Sequence, residues 1–301
     1  MRVEQLPRWK GALVAEYEMV PTPRGTFAVR INGPADGPVV VCQHGFPDDA
    51  STFESLGDEL SKAGYLAVAP NLRGYAPSPL EGNLDLPGLV ADLMAIIDHV
   101  SPTDPVAIVG HDFGAQLAYP AMTAHPLRFR AAVLLAGAHP GLVIRNARFS
   151  PRQLWRSRYI VFFQLGRLAD RAVARDDFAY LDRLWRRWAA PGAEIPIAHL
   201  AHVKQTFRAS MPAPVAMYRA AGFNVPLAPV AVPTLYVTGA EDGCVCPHLA
   251  DGQEALFPHG YRAQIWSGTG HFPHLEQPTR AAETVLAWLT THYSTNRPDP
   301  H

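Results

Sequence analysis

Short runs of apolar, largely β-branched residues recur along this chain, each followed by a turn and then a helical pattern of apolar positions. They are "PVVVCQHG" from residue 38, "LAVAPNLRG" from 66, "VAIVGHDFG" from 106, "AAVLLAGAHPG" from 131, "TLYVTGAEDG" from 234 and "AQIWSGTGHF" from 263. Runs this short and this apolar predict strands covered on both faces, and their alternation with helices predicts βαβ units in a mostly parallel sheet. Upstream, "VAEYEMVPTPRGTFAVRING" alternates apolar and polar positions on both sides of a turn at Pro23 to Gly25, which predicts an antiparallel hairpin entering the sheet.

Between about Leu142 and Val230 this rhythm stops. The segment "SPRQLWRSRYIVFFQLGRLADRAVARDDFAYLDRLWRRWAA" carries apolar and aromatic residues at helical spacing with arginines on the other faces, so a helical insertion is expected. Prolines at 191, 196, 212, 214, 226, 229 and 233 break the segment and its exit into short helices and connectors. The chain thus divides into a first part of a core over 1–141, an insertion over 142–230 and a second part of the core over 231–301. Trp155, Trp185 and Trp188 read first as helix-packing residues. The tail "STNRPDPH" is expected to fray.

A chain of 301 residues can bury a full core, and one main domain is expected. Lys and Arg total 26 against 27 Asp and Glu, so the formal net charge of -1 offers no basic field for nucleic acid or an anionic membrane. Small neutral molecules become the expected partners. The three cysteines, Cys42, Cys244 and Cys246, form no disulfide framework, and the CxC of the last two reads as packing rather than a redox or metal site. The first twenty residues lack the continuous apolar segment of a secretory signal, and no run reaches the roughly 20 apolar residues of a membrane span. A cytoplasmic location is expected.

The chemistry concentrates at strand ends. "VAIVGHDFGA" has the form of a strand, then G-x-Asp-x-G, then an Ala- and Leu-rich helix. Gly110 and Gly114 permit a sharp turn that lifts Asp112 to the carboxyl edge of the sheet, at a helix N-terminus whose dipole favours the ionised carboxylate. Taken alone, Asp112 also fits the lesser reading of a simple helix N-cap. The loop "HGFP", residues 44 to 47, follows "VVVC" and can direct the amide of Phe46 into the same cleft as the amide of Phe113, as an oxyanion hole requires. "GTGHFPHLEQP" places His271 just after the last strand, and "VTGAEDG" places Asp242 just after the one before. The order Asp112, Asp242, His271 is nucleophile, acid, base. His44 reads as a loop residue, His274 as part of the following helix, and Glu241 as pointing away from the strand end.

From about residue 26 to residue 290 the sequence resembles the α/β-hydrolase fold, and aspartate at the elbow together with the HGxP loop resembles its epoxide hydrolase and dehalogenase branch. The resemblance implies a mostly parallel central sheet flanked by helices, with a helical lid insertion. Aspartate suits attack on an sp3 carbon because a carboxylate is already anionic at neutral pH, whereas serine must first be deprotonated. The implied reaction converts an apolar, neutral epoxide to a vicinal diol through an alkyl ester on Asp112, which water activated by His271 and Asp242 then hydrolyses.

The stretches "RYIVFFQLG" and "AMYRAAGF" resemble the family's ring-opening segments and map those roles to Tyr159 and Tyr218. Phe46, Phe113, Trp155, Phe162 and Phe163 are expected to contact substrate; no cofactor and no metal is implied, and a homodimer is compatible with the sequence. Two other readings stay open. Haloalkane dehalogenases typically follow the nucleophile with Trp and fluoroacetate dehalogenases with Arg; Phe113 can replace neither, but Trp155, Trp185 or Trp188 could supply a halide-binding N–H. "LLAGAHPG" has no carboxylate at the alternative acid position that some dehalogenases use. A non-catalytic binding protein of the same fold is the third reading, against which the complete triad counts.

Overall fold

The computed structural model describes residues 17–194, 196–222 and 225–293. The N-terminal segment read for a signal, the first residues of the expected hairpin and the tail from Ser294 lie outside the described residues. Eight strands form one sheet: β1 (Glu18–Thr22), β2 (Gly25–Asn32), β3 (Val39–Gln43), β4 (Leu66–Pro70), β5 (Val106–His111), β6 (Phe129–Leu135), β7 (Thr234–Gly239) and β8 (Tyr261–Trp266). Their spatial order is β1-β2-β4-β3-β5-β6-β7-β8. β1 and β2 form the expected antiparallel hairpin, with Thr22 opposite Gly25, and β2 pairs antiparallel with β4. All later pairings are parallel.

Because side chains alternate across a strand, each continuous apolar run feeds two cores at once. Val39, Val41 and Ile108 face one core together with Leu89 and Leu93 of α2 (Leu86–Val100) and Leu117 of α3 (Phe113–Ala124). Val40, Cys42 and Val109 face the other, together with Leu56 and Leu60 of α1 (Glu54–Lys62) and Val285 and Leu289 of the C-terminal helix Pro278–His292. The sheet is therefore a layer between helices, and its carboxyl edge is left for loops.

Between β6 and β7 the described residues form six helices: α4 (Pro140–Ala147), α5 (Pro151–Arg156), α6 (Arg158–Phe163), α7 (Arg167–Trp188), α8 (Ile197–Ser210) and α9 (Ala213–Ala220). α4, α5 and α9 carry proline in their first turn, where its missing N–H costs nothing. α7 departs from the proline-based expectation, since it is interrupted at Arg175 to Phe178 with Asp176, Asp177 and Phe178 at positive φ and no proline nearby. After β8 come α10 (Pro273–Glu276) and α11 (Pro278–His292).

Candidate active site

Asp112 stands at the junction of β5 and α3 with φ 50 and ψ -116, a backbone conformation that non-glycine residues rarely adopt. The turn is held because both sides approach too closely for side chains. A Cβ on Gly114 would stand 2.1 Å from the carbonyl oxygen of Gln43, and one on Gly45 would stand 2.5 Å from both Asp112 Oδ1 and the amide nitrogen of Phe113. That last clash leaves Asp112 Oδ1 and the Phe113 amide on the same side of the Gly45 backbone. The Phe46 N–H donates to it at 2.9 Å.

The other carboxylate oxygen, Oδ2, lies 3.3 Å from His271 Nε2, within ion-pair distance but without hydrogen-bond alignment. His271 Nδ1 bonds Asp242 Oδ2 at 2.9 Å. Asp242 is held in turn by the amides of Cys244 and Val245, which donate to its Oδ1 at 2.7 and 2.8 Å. The three residues named from strand ends thus form one buried line. Burial disfavours the His271 imidazolium, but the Asp242 and Asp112 carboxylates more than offset it and raise the pKa to about 10. Burial likewise opposes ionisation of Asp112, and the contacts with His271 and the Phe46 amide outweigh it, holding the carboxyl below its ordinary value.

Tyr159 and Tyr218 are both buried, with ring centroids 5.6 Å apart, and each packs on Phe46, at 6.5 and 5.1 Å. Tyr218 also packs edge-on against Phe113 at 6.3 Å. Burial pushes both phenols well above their ordinary pKa, so each is held neutral. The Tyr159 hydroxyl lies 3.8 Å from Cys244 Sγ. Phe163 joins the same cluster, 5.5 Å from Phe46, whereas Phe162 sits behind it against Phe163 and Tyr180.

Trp155 requires a correction. It is 68% exposed, and its indole is covered by the Arg158 guanidinium at 4.2 Å, so it faces solvent rather than the aromatic cluster expected to hold substrate. The helix carrying it buries Gln153 instead, whose amide bonds Cys244 O and Cys246 N at 2.9 Å each.

Glu276, which the sequence did not single out, and Trp188, considered there only for packing or as a halide-binding N–H, position the backbone around His271. Glu276 accepts from the amides of Gly270 at 2.7 Å and Phe272 at 2.9 Å, on both sides of His271, and from Ala190 at 3.0 Å. Trp188, read as packing, contributes the carbonyl that accepts the His271 N–H at 2.9 Å, and its ring lies 5.1 Å from the imidazole. A carboxylate five residues after the histidine was the available signal for Glu276; no local pattern marks Trp188. His44 serves its loop, its Nε2 accepting from the Leu72 amide at 3.0 Å, and Glu241 turns to the Thr269 amide at 3.1 Å. His274 lies in α10 and bonds Thr52 at 2.7 Å.

Two groups of donor atoms lie close enough to share an ion: Asp48, His111 and His274, and Asp112, Cys244 and His271, each within 4.8 Å of one another. In the second group burial raises the Cys244 thiol well above its ordinary pKa, which leaves it a neutral, poor ligand.

The family model described as the alpha/beta hydrolase family matches residues 39–284. Epoxide hydrolase A of Mycobacterium tuberculosis is 26% identical over 86% of this chain and 92% of its own length. Epoxide hydrolase 4 of Mus musculus is also 26% identical, over 84% of this chain and 73% of its own. Among solved structures, a Bacillus megaterium epoxide hydrolase in complex with an inhibitor superposes with a TM-score of 0.81 at 21% identity, covering 91% of this chain and 100% of that one. With the match running from the first residue of β3 into the last helix, the chain belongs to the alpha/beta hydrolase family.

Proposed function

We propose that the protein is an epoxide hydrolase that converts an apolar, uncharged epoxide to a vicinal diol through an ester on Asp112. The observation that carries this reading is a carboxylate at the strand-to-helix elbow with one oxygen on the Phe46 amide and the other 3.3 Å from His271, beside two buried tyrosines that pack on the Phe46 ring. The relatives' names and the apolar walls of Phe46, Phe113 and Phe163 support the same substrate class.

At neutral pH the resting site holds an imidazolium between two carboxylates. An Asp112 oxygen attacks a ring carbon, the carbon–oxygen bond of the epoxide breaks, and Tyr159 or Tyr218 donates a proton to the emerging alkoxide. Esterification removes the charge of Asp112, and with it one of the two groups that hold the proton on His271. The imidazolium then gives up its proton to restore the tyrosinate, leaving a neutral base where a base is needed.

Water adds to Cγ of the ester, its proton passes to His271 Nε2, and the oxyanion on Oδ1 is met by the Phe46 and Phe113 amides. Collapse breaks the bond between Cγ and the alkyl oxygen. The released alkoxide takes the remaining proton from the Asp112 carboxyl, which restores the carboxylate and the imidazolium. One epoxide and one water have become one diol.

In a single turnover in heavy-oxygen water, label is expected in Asp112 before it appears in product; label passing straight to the diol overturns the covalent route. A second reading, haloalkane dehalogenation, rests on Trp188: its indole N–H is buried without a hydrogen-bond partner beside His271, while Trp185 donates to Pro47 O at 3.1 Å and Trp155 is at the surface. Halide release from haloalkanes faster than hydration of every epoxide tried would favour that reading.

A further inference from the structure

The whole-chain charge balance conceals an uneven distribution. Residues 144–168 contain six arginines, at 145, 148, 152, 156, 158 and 167, and no Asp, Glu or Lys, in a chain of formal net charge -1. Among the described residues, none of the six has a carboxylate within ion-pair distance. The same stretch turns its apolar side chains outward: Phe149, Leu154, Trp155, Val161, Leu165 and Leu168 are each more than half exposed.

α5 is inside out, burying the amide of Gln153 and presenting Leu154 and Trp155 to solvent. Arginines lie over the exposed rings, Arg148 at 4.5 Å from Phe149 and Arg158 at 4.2 Å from Trp155. These residues fall on four consecutive helices and their connections, α4 through the first turn of α7, so apolar and cationic groups share one part of the surface.

We propose that this face of the insertion docks on the surface of an anionic lipid bilayer. Exposed Trp, Phe and Leu beside uncompensated arginines are the composition of an interfacial contact, in which rings and aliphatic chains enter the headgroup boundary and guanidinium groups meet lipid phosphates. A second copy of the chain meeting this face with its own would bring its arginines against the same arginines of the partner, Arg156 apart, whose guanidinium turns to the buried Cys246 Sγ at 3.0 Å. A nucleic acid would satisfy the arginines and stack on the two rings but has no use for Leu154, Val161, Leu165 and Leu168. No helix among the described residues is long and apolar enough to cross a membrane, so the contact is peripheral.

The expectation that no anionic membrane would be bound averaged this face with the acidic remainder of the chain. The docking does not rest on the proposed activity.

The test is sedimentation of the full-length protein with vesicles of equal parts phosphatidylglycerol and phosphatidylcholine, and with phosphatidylcholine alone, at low and high salt. Binding is expected to the anionic vesicles only and to fall with salt. Brominated lipid should quench tryptophan emission in the parent, and quenching should drop in Trp155→Phe. The triple variant Arg148→Ser, Arg152→Ser, Arg167→Ser should weaken partitioning about a hundredfold, at roughly fivefold per arginine. Equal affinity for both vesicle types, no binding at low salt, or no quenching of tryptophan emission in the parent overturns the proposal without any variant, and so does quenching that is unchanged in Trp155→Phe. So does a dimer dispersed by the triple variant in a protein that ignores vesicles, or single-stranded DNA held more tightly than the anionic vesicles.

Discussion

Two histidine–carboxylate clusters stand on either side of the Phe46 loop and use similar pairings to different ends. His271 lies between Asp112 and Asp242 at 3.3 and 2.9 Å, wholly buried, with Nε2 left out of hydrogen-bond alignment. His199 of α8 bonds Asp48 Oδ1 at 2.8 Å through Nε2 and Ser51 Oγ at 3.2 Å through Nδ1. Three residues along the same helix, His202 lies 3.4 Å from Asp49, whose Oδ2 also accepts from Thr206 at 2.6 Å. The second cluster uses both ring nitrogens of His199 and fastens the insertion to the core two residues from the Phe46 amide. The difference lies in what each ring faces: His271 Nε2 points at the Asp112 carboxylate without being tied to it, whereas both nitrogens of His199 are engaged where α8 meets the loop after Phe46.

The sharpest way to break the comparison is to remove one carboxylate from each cluster. Asp112→Ala should lose on the order of 10^4-fold in kcat/KM, because the covalent step has no other nucleophile. Asp48→Asn should retain the covalent step, read as an alkylated protein by mass spectrometry. His271→Gln should sharpen the division further: ring opening persists, ester accumulates, and turnover falls by on the order of 10^3-fold.

Next in size are the phenols. Tyr159→Phe and Tyr218→Phe should each retain a measurable fraction of activity, since either hydroxyl can supply the proton. The double variant should lose nearly all, each charge-assisted hydrogen bond being worth on the order of 2 kcal/mol in the transition state. A double variant that opens epoxides at the parent rate would remove the phenols from the reaction.

Stability against pH separates the clusters in a third way. His271 is raised from its ordinary 6.5 to about 10, so the proton it holds stabilises the fold fully below pH 6.5, and that contribution is lost progressively as pH climbs to about 10. The total is several kcal/mol, at about 1.4 kcal/mol per tenfold change in proton affinity. The melting temperature of the parent should therefore fall between pH 7 and pH 10 more steeply than that of His271→Gln. Burial opposes the charge on His199 and Asp48 restores it, a smaller rise of the same sign, so His199→Ala should flatten the curve less. A parent melting temperature that stays level from neutral to alkaline pH would contradict the charged resting state.

The smallest expected effect is at Trp155. Trp155→Phe should leave kcat/KM on a water-soluble epoxide within about twofold, as for other surface substitutions away from a site. A larger loss would return this residue to the substrate pocket.

The strand runs and the strand-end positions of Asp112, Asp242 and His271 are legible in the sequence because each rests on short-range rules. Six apolar runs became β3 through β8, since a strand buried on both faces must be apolar at nearly every position. β8 departs from the expected cover on both faces, with most of its residues partly or fully exposed at the sheet edge. The elbow was readable from Gly110 and Gly114, because the close approach of backbone there leaves no room for a Cβ. In the insertion the same helical pattern suits several rotations of each helix about its axis, and the residues misjudged all lie there.

What the sequence by itself determined is the order of strands and helices, the turn that presents Asp112 and the loops that carry Asp242 and His271, all consequences of periodicity and of covalent neighbours. Only the tertiary structure decided that Trp188 lies against His271 while Trp155 faces water, that Gln153 is inside and Leu154 outside, and that Asp48 meets His199 from 151 residues away. The physical reason is that burial and pairing across such distances are set by how separate segments pack, and a helix does not encode which neighbour will cover it.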